Sequence, residues 1–394
     1  MSGPDLEKVI RDDLSSCRHL AHLGGLNNPE VIGSGGSGVV IADKNGVAFK
    51  LGVAVDIGDD LASKYPGFVH IESVVYDDEF DGVNGTISFD GHKYPVGESL
   101  SHLATKVSEY TTLGKLRGVP GVLQIREDPQ SEVGVARGFY LVDGYLCVGF
   151  SFDKVEGKSL ADCIDEDSLS PLEIIKVHYD VALALSETHK RGIVHYDVKP
   201  ENIIVSRTEE GVTGTLIDYG ISRFFSYGAI KSLPQLDQQK ILERLSKSRD
   251  VFGSYGYMAP ESFETVQKTP KSDLYMLGAS LYESLGSGLL VERLAELSNI
   301  DFNENDFMTN LVVLDRYDKA VWESLKATMP RNLEVSKDVA DAISYLVHPM
   351  SSRRSNFYFS DVAIRALSGN IPVRVNHKGD LMNRDKRVYR GLTK

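Results

Sequence analysis

Cysteine is scarce in this chain. Cys17, Cys147 and Cys163 stand far apart among 394 residues, without metal-ligand spacing and in an odd number, so a disulfide framework is not indicated. That usage implies a reducing, intracellular setting. Long apolar runs are missing as well: none approaches the ~20 residues a membrane span needs. The opening MSGPDLEKVIRDD carries charge where a signal peptide needs an apolar stretch, and a cytoplasmic location is expected. Positive charge is in deficit, with a formal net charge of −13, so no broad nucleic-acid-binding surface is expected. Internal repeats and low-complexity linkers are also absent. The exception to the acidic balance is local. Ile371 to Lys394 holds seven Lys/Arg against two Asp, which fits a solvated or body-docked tail, or a site for an acidic partner.

The length allows one large domain or two lobes around a sizeable core. Residues 5–21 carry apolar side chains at helical spacing. Residues 29–52 read as three strands, broken first by glycines and then by a two-residue turn at Asn45-Gly46. Residues 53–97 hold acidic loop material and a hairpin through Asp90-Gly91. The acidic cluster at 77–81 departs from a calcium loop, because Ser88 stands where the closing Glu belongs. Residues 99–117 read as a helix, 133–142 and 145–153 as strands. Ser170 caps a helix that has Pro171 in its first turn and runs to Lys190. From there to about residue 370 the chain reads as mostly helical. Strand-rich first, helix-rich second: the expectation is an α+β protein with two lobes of unlike class.

Several polar groups stand at suggestive offsets. His195-Tyr196-Asp197-Val198-Lys199-Pro200-Glu201-Asn202 places a carboxylate, an ammonium and an amide on one short segment. That is a kit for phosphoryl transfer: a base to orient a hydroxyl, a cation over transferring charge and an oxygen ligand for a metal. Gly33-Ser34-Gly35-Gly36-Ser37-Gly38 lets the backbone come close to phosphate oxygens, although a flexible turn explains glycines equally well. A strand rather than a helix follows, which argues against a dinucleotide site. Lys50 shares a strand face with Ala48; a lone strand lysine is more often solvated. Glu109, on the helix of 99–117, is a candidate partner for it. Asp218, in Ile217-Asp218-Tyr219-Gly220, ends an apolar run and suits a magnesium ligand, or an ordinary turn.

Taken in order, these segments resemble the eukaryotic-type protein kinase family over roughly residues 29–368. Met258-Ala259-Pro260-Glu261 resembles its A-P-E motif, and Ser272-Asp273-Leu274-Tyr275-Met276-Leu277-Gly278 its D-x-W-x-x-G helix. Arg353 or Arg354 resembles the arginine that pairs with the A-P-E glutamate, and sequence leaves both open. The resemblance implies a bilobal kinase-like fold: an extension at 1–28, an N-lobe at 29–155 with an insertion at about 51–97, a C-lobe at 156–368 with an extended activation segment at 218–261, and a basic tail at 369–394. It implies ATP and Mg2+ as cofactors. Gly33, Gly35 and Gly38 would cover the phosphates, with Val40 and Ala48 above the adenine and Ile204 below it. Phe152 would be a bulky gatekeeper, and Asp153 to Val155 the hinge that binds adenine. Lys50, paired with Glu109, would hold the α- and β-phosphates. Asp197 would accept the substrate hydroxyl proton, Lys199 would stabilise transferring charge, and Asn202 and Asp218 would hold magnesium. Leu113, His195 and Tyr219 resemble the apolar column that couples the Glu109 helix to the catalytic loop. Lys199, two residues after Asp197, and Ser254 point to serine or threonine of a protein substrate as acceptor.

Three departures from the family pattern stand out. Tyr196 replaces the arginine before the catalytic Asp, and a phenol offers no charged fork to a phosphorylated loop. Activity is then expected not to require that phosphorylation. The span from Asp218 to Glu261 covers 44 residues, longer than is usual, with helical spacing in 233–249. The insertion at 51–97 and the basic tail are candidate partner surfaces. The competing readings are a nucleotide-binding pseudokinase or scaffold and a small-molecule phosphotransferase. The intact set Lys50, Asp197, Asn202 and Asp218 opposes the first. Lys199 and the A-P-E segment oppose the second.

Overall fold

Alternation in Val47-Ala48-Phe49-Lys50-Leu51 sends Val47, Phe49 and Leu51 to one face of a strand and Ala48 and Lys50 to the other. In the computed structural model this strand organises the first of two units. Residues 8, 10, 11, 26, 28–35, 38–56, 68–71, 73–76, 85–89, 92–96, 109–126, 137–142, 145–224, 254–264, 269–286, 288–303, 307–333, 335–375 and 381–382 are described. One unit comprises Met1–Gly118 and Leu123–Val155, the other Val119–Val122 and Glu156–Lys394. The short second-unit segment is tied there by a bridge between Val122 and Leu216.

In the first unit, β1 (Glu30–Gly35), β2 (Gly38–Ala42), β3 (Val47–Asp56), β4 (Phe68–Ile71), β8 (Arg137–Val142) and β9 (Tyr145–Asp153) form a sheet in the order β1-β2-β3-β9-β8-β4. Val47, Phe49 and Leu51 bury their face with Val39, Ile41, Tyr140, Cys147, Leu26 and Ile10. Ile10 comes from the expected N-terminal helix, of which residues 8, 10 and 11 are described and helical. On the opposite face, helix α1 is described over 109–115. Its Tyr110 ring meets Phe150 edge-on, 6.1 Å between centroids, and Leu113 is fully buried. The rest of the expected 99–117 helix, 99–108, lies outside the described residues.

The insertion contains strands. After β4, which joins the main sheet beside β8, β5 (Ser73–Tyr76), β6 (Gly85–Phe89) and β7 (His92–Val96) form a separate antiparallel sheet. Phe89 pairs with His92, the register of a two-residue connection at 90–91. The acidic residues 77–81 and the segment 233–249 lie outside the described residues.

The β2–β3 connection differs from expectation. A two-residue turn at Asn45-Gly46 would need positive φ at both residues, yet only Gly46 has it, at 78°. Asp43 is the reason. Its Oδ1 accepts the N–H groups of Asn45 and Val47 at 2.9 and 3.0 Å, and its own N–H donates to Val47 O at 2.9 Å. The loop is therefore three residues, 44–46, with glycine at the left-handed position.

The second unit is built on helices. Helix α2 (Leu160–Asp165) precedes α3 (Pro171–Lys190). Ser170 caps α3 as expected. Its Oγ accepts Glu173 N–H while its own N–H donates to Glu173 Oε2, a reciprocal capping box. The chain after Lys190 is not helical throughout. β10 (Lys158–Ser159), β12 (Ile203–Thr208) and β13 (Gly211–Leu216) form one small sheet, and β11 (Ile193–Val194) pairs with β14 (Arg223–Phe224). Buried Ile203, Val205, Val212 and Leu216 explain the strands, since β-branched alternation suits a half-buried sheet. Then come α4 (Glu261–Glu264), α5 (Pro270–Gly286), α6 (Leu290–Leu297), α7 (Phe307–Asp315), α8 (Lys319–Asn332), α9 (Lys337–Leu346) and α10 (Asn356–Leu367). Fully buried His178 joins α3 to α5: Nδ1 donates to Ile174 O and Nε2 accepts from Ser280 Oγ. Burial pushes its pKa down to about 4. Ile371 and Val373, at the start of the basic tail, are buried. Among the described residues, no helix is long and apolar enough to cross a membrane.

The structure selects Arg354, not Arg353, as the partner of Glu261. Arg354 is 1% exposed and donates to Glu261 Oε1 and Oε2 at 2.6 and 2.9 Å. Its other donors reach the carbonyls of His348, Lys271 and Pro349, and its guanidinium lies over the Tyr275 ring. Arg353 points to solvent. Arg354→Met should lower unfolding free energy by about 3 kcal/mol, because it strands a largely buried carboxylate. Arg353→Met should change it by less than about 0.5 kcal/mol. Urea denaturation of the two variants checks both.

Candidate active site

Lys50 is fixed before any ligand is considered. It sits opposite Val40 on β2 and Phe150 on β9, in the interior of the sheet. Its Nζ lies 2.7 Å from Glu109 Oε1, with the side chains 8% and 1% exposed. Such a pair fixes a lysine's direction more than it adds stability. Ala48, on the same face, is fully buried and pairs with Phe152. The glycine segment joins β1 and β2, with Gly35 opposite Gly38. Gly38 is required locally: at φ +133° an added Cβ would lie 2.3 Å from Leu51 O. Gly33 is different. Its φ is ordinary, and a Cβ there would meet nothing within 4 Å, so neither fold nor turn among the described residues demands it. Asp153 N–H donates to Gln124 O and Lys154 N–H to Gly46 O, while Arg126 Nε holds the Asp153 carboxylate at 2.8 Å. These bonds restrain the segment that ends at half-buried Val155.

In the second unit, residues 195–202 are held from below by Asp273, in the first turn of α5. Its Oδ2 accepts His195 N–H at 2.9 Å and its Oδ1 accepts Tyr196 N–H at 2.8 Å. His189 Nε2 donates to Oδ2 at 2.8 Å. This carboxylate is fully buried, and its three donors and the helix N-terminus offset the loss of water. Tyr196 is thereby kept at φ 73° with its ring 1% exposed. Asp197, the next residue, is partly exposed.

The side chains expected to do chemistry converge on Asp197. Asn202 Nδ2 donates to Asp197 O and Oδ2, both at 2.8 Å. Lys199 Nζ is 3.3 Å from Asp197 Oδ2 and donates to Ser254 Oγ at 2.6 Å. Ser254 Oγ in turn donates to Asp197 Oδ1 at 2.9 Å. A hydroxyl therefore sits between a carboxylate that accepts its proton and an ammonium that stabilises its oxygen. Asp218 follows directly on Ile217, whose N–H donates to Asn202 O at 2.9 Å. His195 Nε2 donates to Ile217 O at 3.0 Å while its Nδ1 accepts Asp197 N–H, which fixes the neutral tautomer. The His195 and Tyr219 rings stack edge-on, 4.4 Å between centroids. Ile204, half-buried on β12, pairs with Ser159. Nearby, Tyr257 donates to Glu283 Oε2. Burial raises the Glu283 carboxyl pKa, and the charges of Glu201, Asp165 and Glu292 add to the rise.

A model of the protein kinase domain family matches residues 135–362, more than half of the chain. The chain belongs to the protein kinase family. Its catalytic segment and A-P-E region lie within that match. The glycine strands, Lys50 and Glu109 lie before it and rest on the geometry above. A probable serine/threonine-protein kinase of Clostridium perfringens is 39% identical over 130 residues, 33% of this chain and 16% of that protein. The serine/threonine-protein kinase pkn2 of Myxococcus xanthus is 30% identical over 145 residues, 37% of this chain and 16% of its own length. For PknB of Mycobacterium leprae the figures are 28% over 167 residues, 42% and 23%. The chain thus spans less than a quarter of the length of each of these relatives.

In this kinase chain the strongest organiser of the catalytic segment, Asp273, is legible on sequence only as part of a helix motif. Its signal is the company it keeps. An Asp followed by Leu274-Tyr275-Met276-Leu277 is a carboxylate in an apolar helix, and a buried carboxylate must be paired. His189 and Thr188, which join the same site, carry no comparable mark. Asp273→Asn keeps the shape but turns one acceptor into a donor facing an N–H. It should lower unfolding free energy by about 2 kcal/mol, read from the urea midpoint of the full chain.

Proposed function

We propose that this chain is an ATP- and Mg2+-dependent protein serine/threonine kinase that works without phosphorylation of its activation segment. The observation that carries the reading is the Asp197–Ser254–Lys199 arrangement, in which a carboxylate and an ammonium address one hydroxyl oxygen. A serine or threonine of a protein substrate would use the same two groups. Asp197 would orient its hydroxyl and accept the proton; Lys199 would stabilise charge on the transferring phosphoryl group.

The cofactors fit the residues present. Asn202 spends its Nδ2 on Asp197, which leaves its amide oxygen to offer to a cation, and Asp218 adds a carboxylate. Hard oxygen donors of this kind suit Mg2+, with phosphate and water completing the shell. Among the described residues no cluster of three or more His, Cys, Asp or Glu could hold a metal by itself, in keeping with a metal that arrives with the nucleotide. Bound magnesium would draw negative charge from the phosphate oxygens. Lys50, held by Glu109, would neutralise the α- and β-phosphates, and the open space at Gly33 suits close approach of a phosphate. Gly35, Gly38, Val40, Ala48, Asp153, Val155 and Ile204 would complete the nucleotide site. A cytoplasmic setting, and partner surfaces on the 51–97 insertion or the basic tail, belong to the same proposal.

Independence from loop phosphorylation rests on Tyr196. Its ring is buried, and its backbone N–H is held by the Asp273 carboxylate.

Purified protein with labelled ATP, Mg2+ and a generic basic protein is the deciding assay. Label should appear on serine or threonine, and Asp197→Ala should reduce the rate by at least about 100-fold. ATP binding without transfer would favour a scaffold; turnover only with a small alcohol would favour a small-molecule phosphotransferase. In a second assay, replacing Ser226, Ser232, Ser246 and Ser248 by Ala and Tyr227 by Phe should leave the rate within about 2-fold, a change near the size of RT. Loss of activity in that folded variant would refute phosphorylation independence.

A further inference from the structure

Asp218 has φ 59°, a left-handed conformation that Asp tolerates better than most L residues because its carboxylate can bond locally; here its Oδ1 accepts Gly220 N–H at 3.3 Å. The restraints lie on both sides. Ahead of it, Ile217 is bonded through its N–H to Asn202 and through its carbonyl to His195. Behind it, Tyr219 O accepts Ser222 N–H at 3.1 Å and Ser222 Oγ at 2.7 Å. The Tyr219 side chain adds a restraint that a phenylalanine could not. Its hydroxyl lies 3.4 Å from Thr188 Oγ1 on α3. Thr188 spends its only proton on Ala184 O at 2.8 Å, so Tyr219 is the donor and Thr188 the acceptor. Both residues are fully buried. Rotating the ring away would break the bond and leave the buried phenol's proton without that acceptor, out of reach of water.

We propose that the Tyr219–Thr188 bond is a latch that ties the segment 217–222 to α3 and holds Asp218 in its left-handed conformation, making Tyr219 a positioning residue. Its value to phosphoryl transfer rests on the kinase reading above. The latch also gives the hydroxyl of Tyr219 a purpose. With Tyr196 unable to recruit a phosphate, order at Asp218 has to come from inside the fold, and a phenol bonded to a 20-residue helix supplies it.

Hydrogen–deuterium exchange on the full chain tests the latch, with Tyr219→Phe and Thr188→Val made singly and together. Each single variant should speed exchange at the amides of 217–222 by about 3- to 10-fold, the equivalent of one hydrogen bond. Exchange in β12 and β13 should stay unchanged. The double variant should match the singles, since either change removes the same bond. The half-saturating Mg2+ concentration should rise by a similar factor, with KM for the protein substrate unaltered. Unchanged exchange in both single variants, or effects that add in the double, would overturn the latch even in a fully active enzyme. A wild-type chain that transfers no phosphate would instead overturn the kinase reading, and the exchange comparison would still decide the latch.

Discussion

A single buried carboxylate, that of Asp273, is the constraint on which the catalytic segment depends. A charge removed from water costs several kcal/mol unless it is fully paired. Asp273 is paired by the N–H groups of His195 and Tyr196 and by His189. Those N–H groups belong to consecutive residues just before Asp197, so the pairing fixes the backbone that presents its carboxylate. It also explains how Tyr196 is kept at φ 73°, a conformation that costs a bulky L residue about 1–3 kcal/mol and persists only where its surroundings compel it. The energy comes from satisfying the carboxylate, and the geometry of Asp197 follows.

The same helix carries a second fixed point. Ser272, next to Asp273, donates to Glu261 Oε1 at 3.0 Å, the oxygen that also receives Arg354. The start of α5 therefore touches both the segment 195–202 and Glu261. With these two anchors in place, Ser254 is held within reach of Asp197 and Lys199 by bonds among uncharged and internally paired groups. An arginine at 196 would add a charge to a position that is 1% exposed, and burying it would demand a partner. The tyrosine suits the burial.

What sequence makes legible here is chemistry at short range. Asp197, Lys199 and Asn202 are separated by two and three residues on one loop, so their offsets alone imply convergence. The Ser170 cap and the strands of the first unit follow from equally local patterns. Arg353 and Arg354 could not be separated that way, because the choice depends on which side chain a short 3₁₀ turn aims inward. The loop at 44–46 escaped because Asp43, outside the expected turn, captures its N–H groups. Strand β12 was hidden in a segment whose helical neighbours dominate the pattern. Asp273 and Thr188 act across 77 and 31 residues of chain respectively, and nothing in their immediate neighbours names their partners.

Lys50 and Glu109 pose the opposite problem, since 59 residues and a large insertion separate them. Their pairing is nonetheless 2.7 Å. The reason lies in where the insertion enters. Lys50 is fixed by ladder pairs to Val40 and Phe150, while β3 continues paired with β9 as far as Asp56. The irregularity in that ladder falls between Val53 and Val55, beyond Lys50. Departure from regular pairing thus begins only after the lysine is locked in the sheet. On the other side, Tyr110 and Leu113 bury α1 within the first unit directly after Glu109. The insertion is bracketed by two fixed elements, so its length and its own three-stranded sheet can vary without moving the ion pair. Control of the pair from the insertion would have to act on the backbone ahead of Glu109, because the lysine side of the contact is already held by two neighbouring strands.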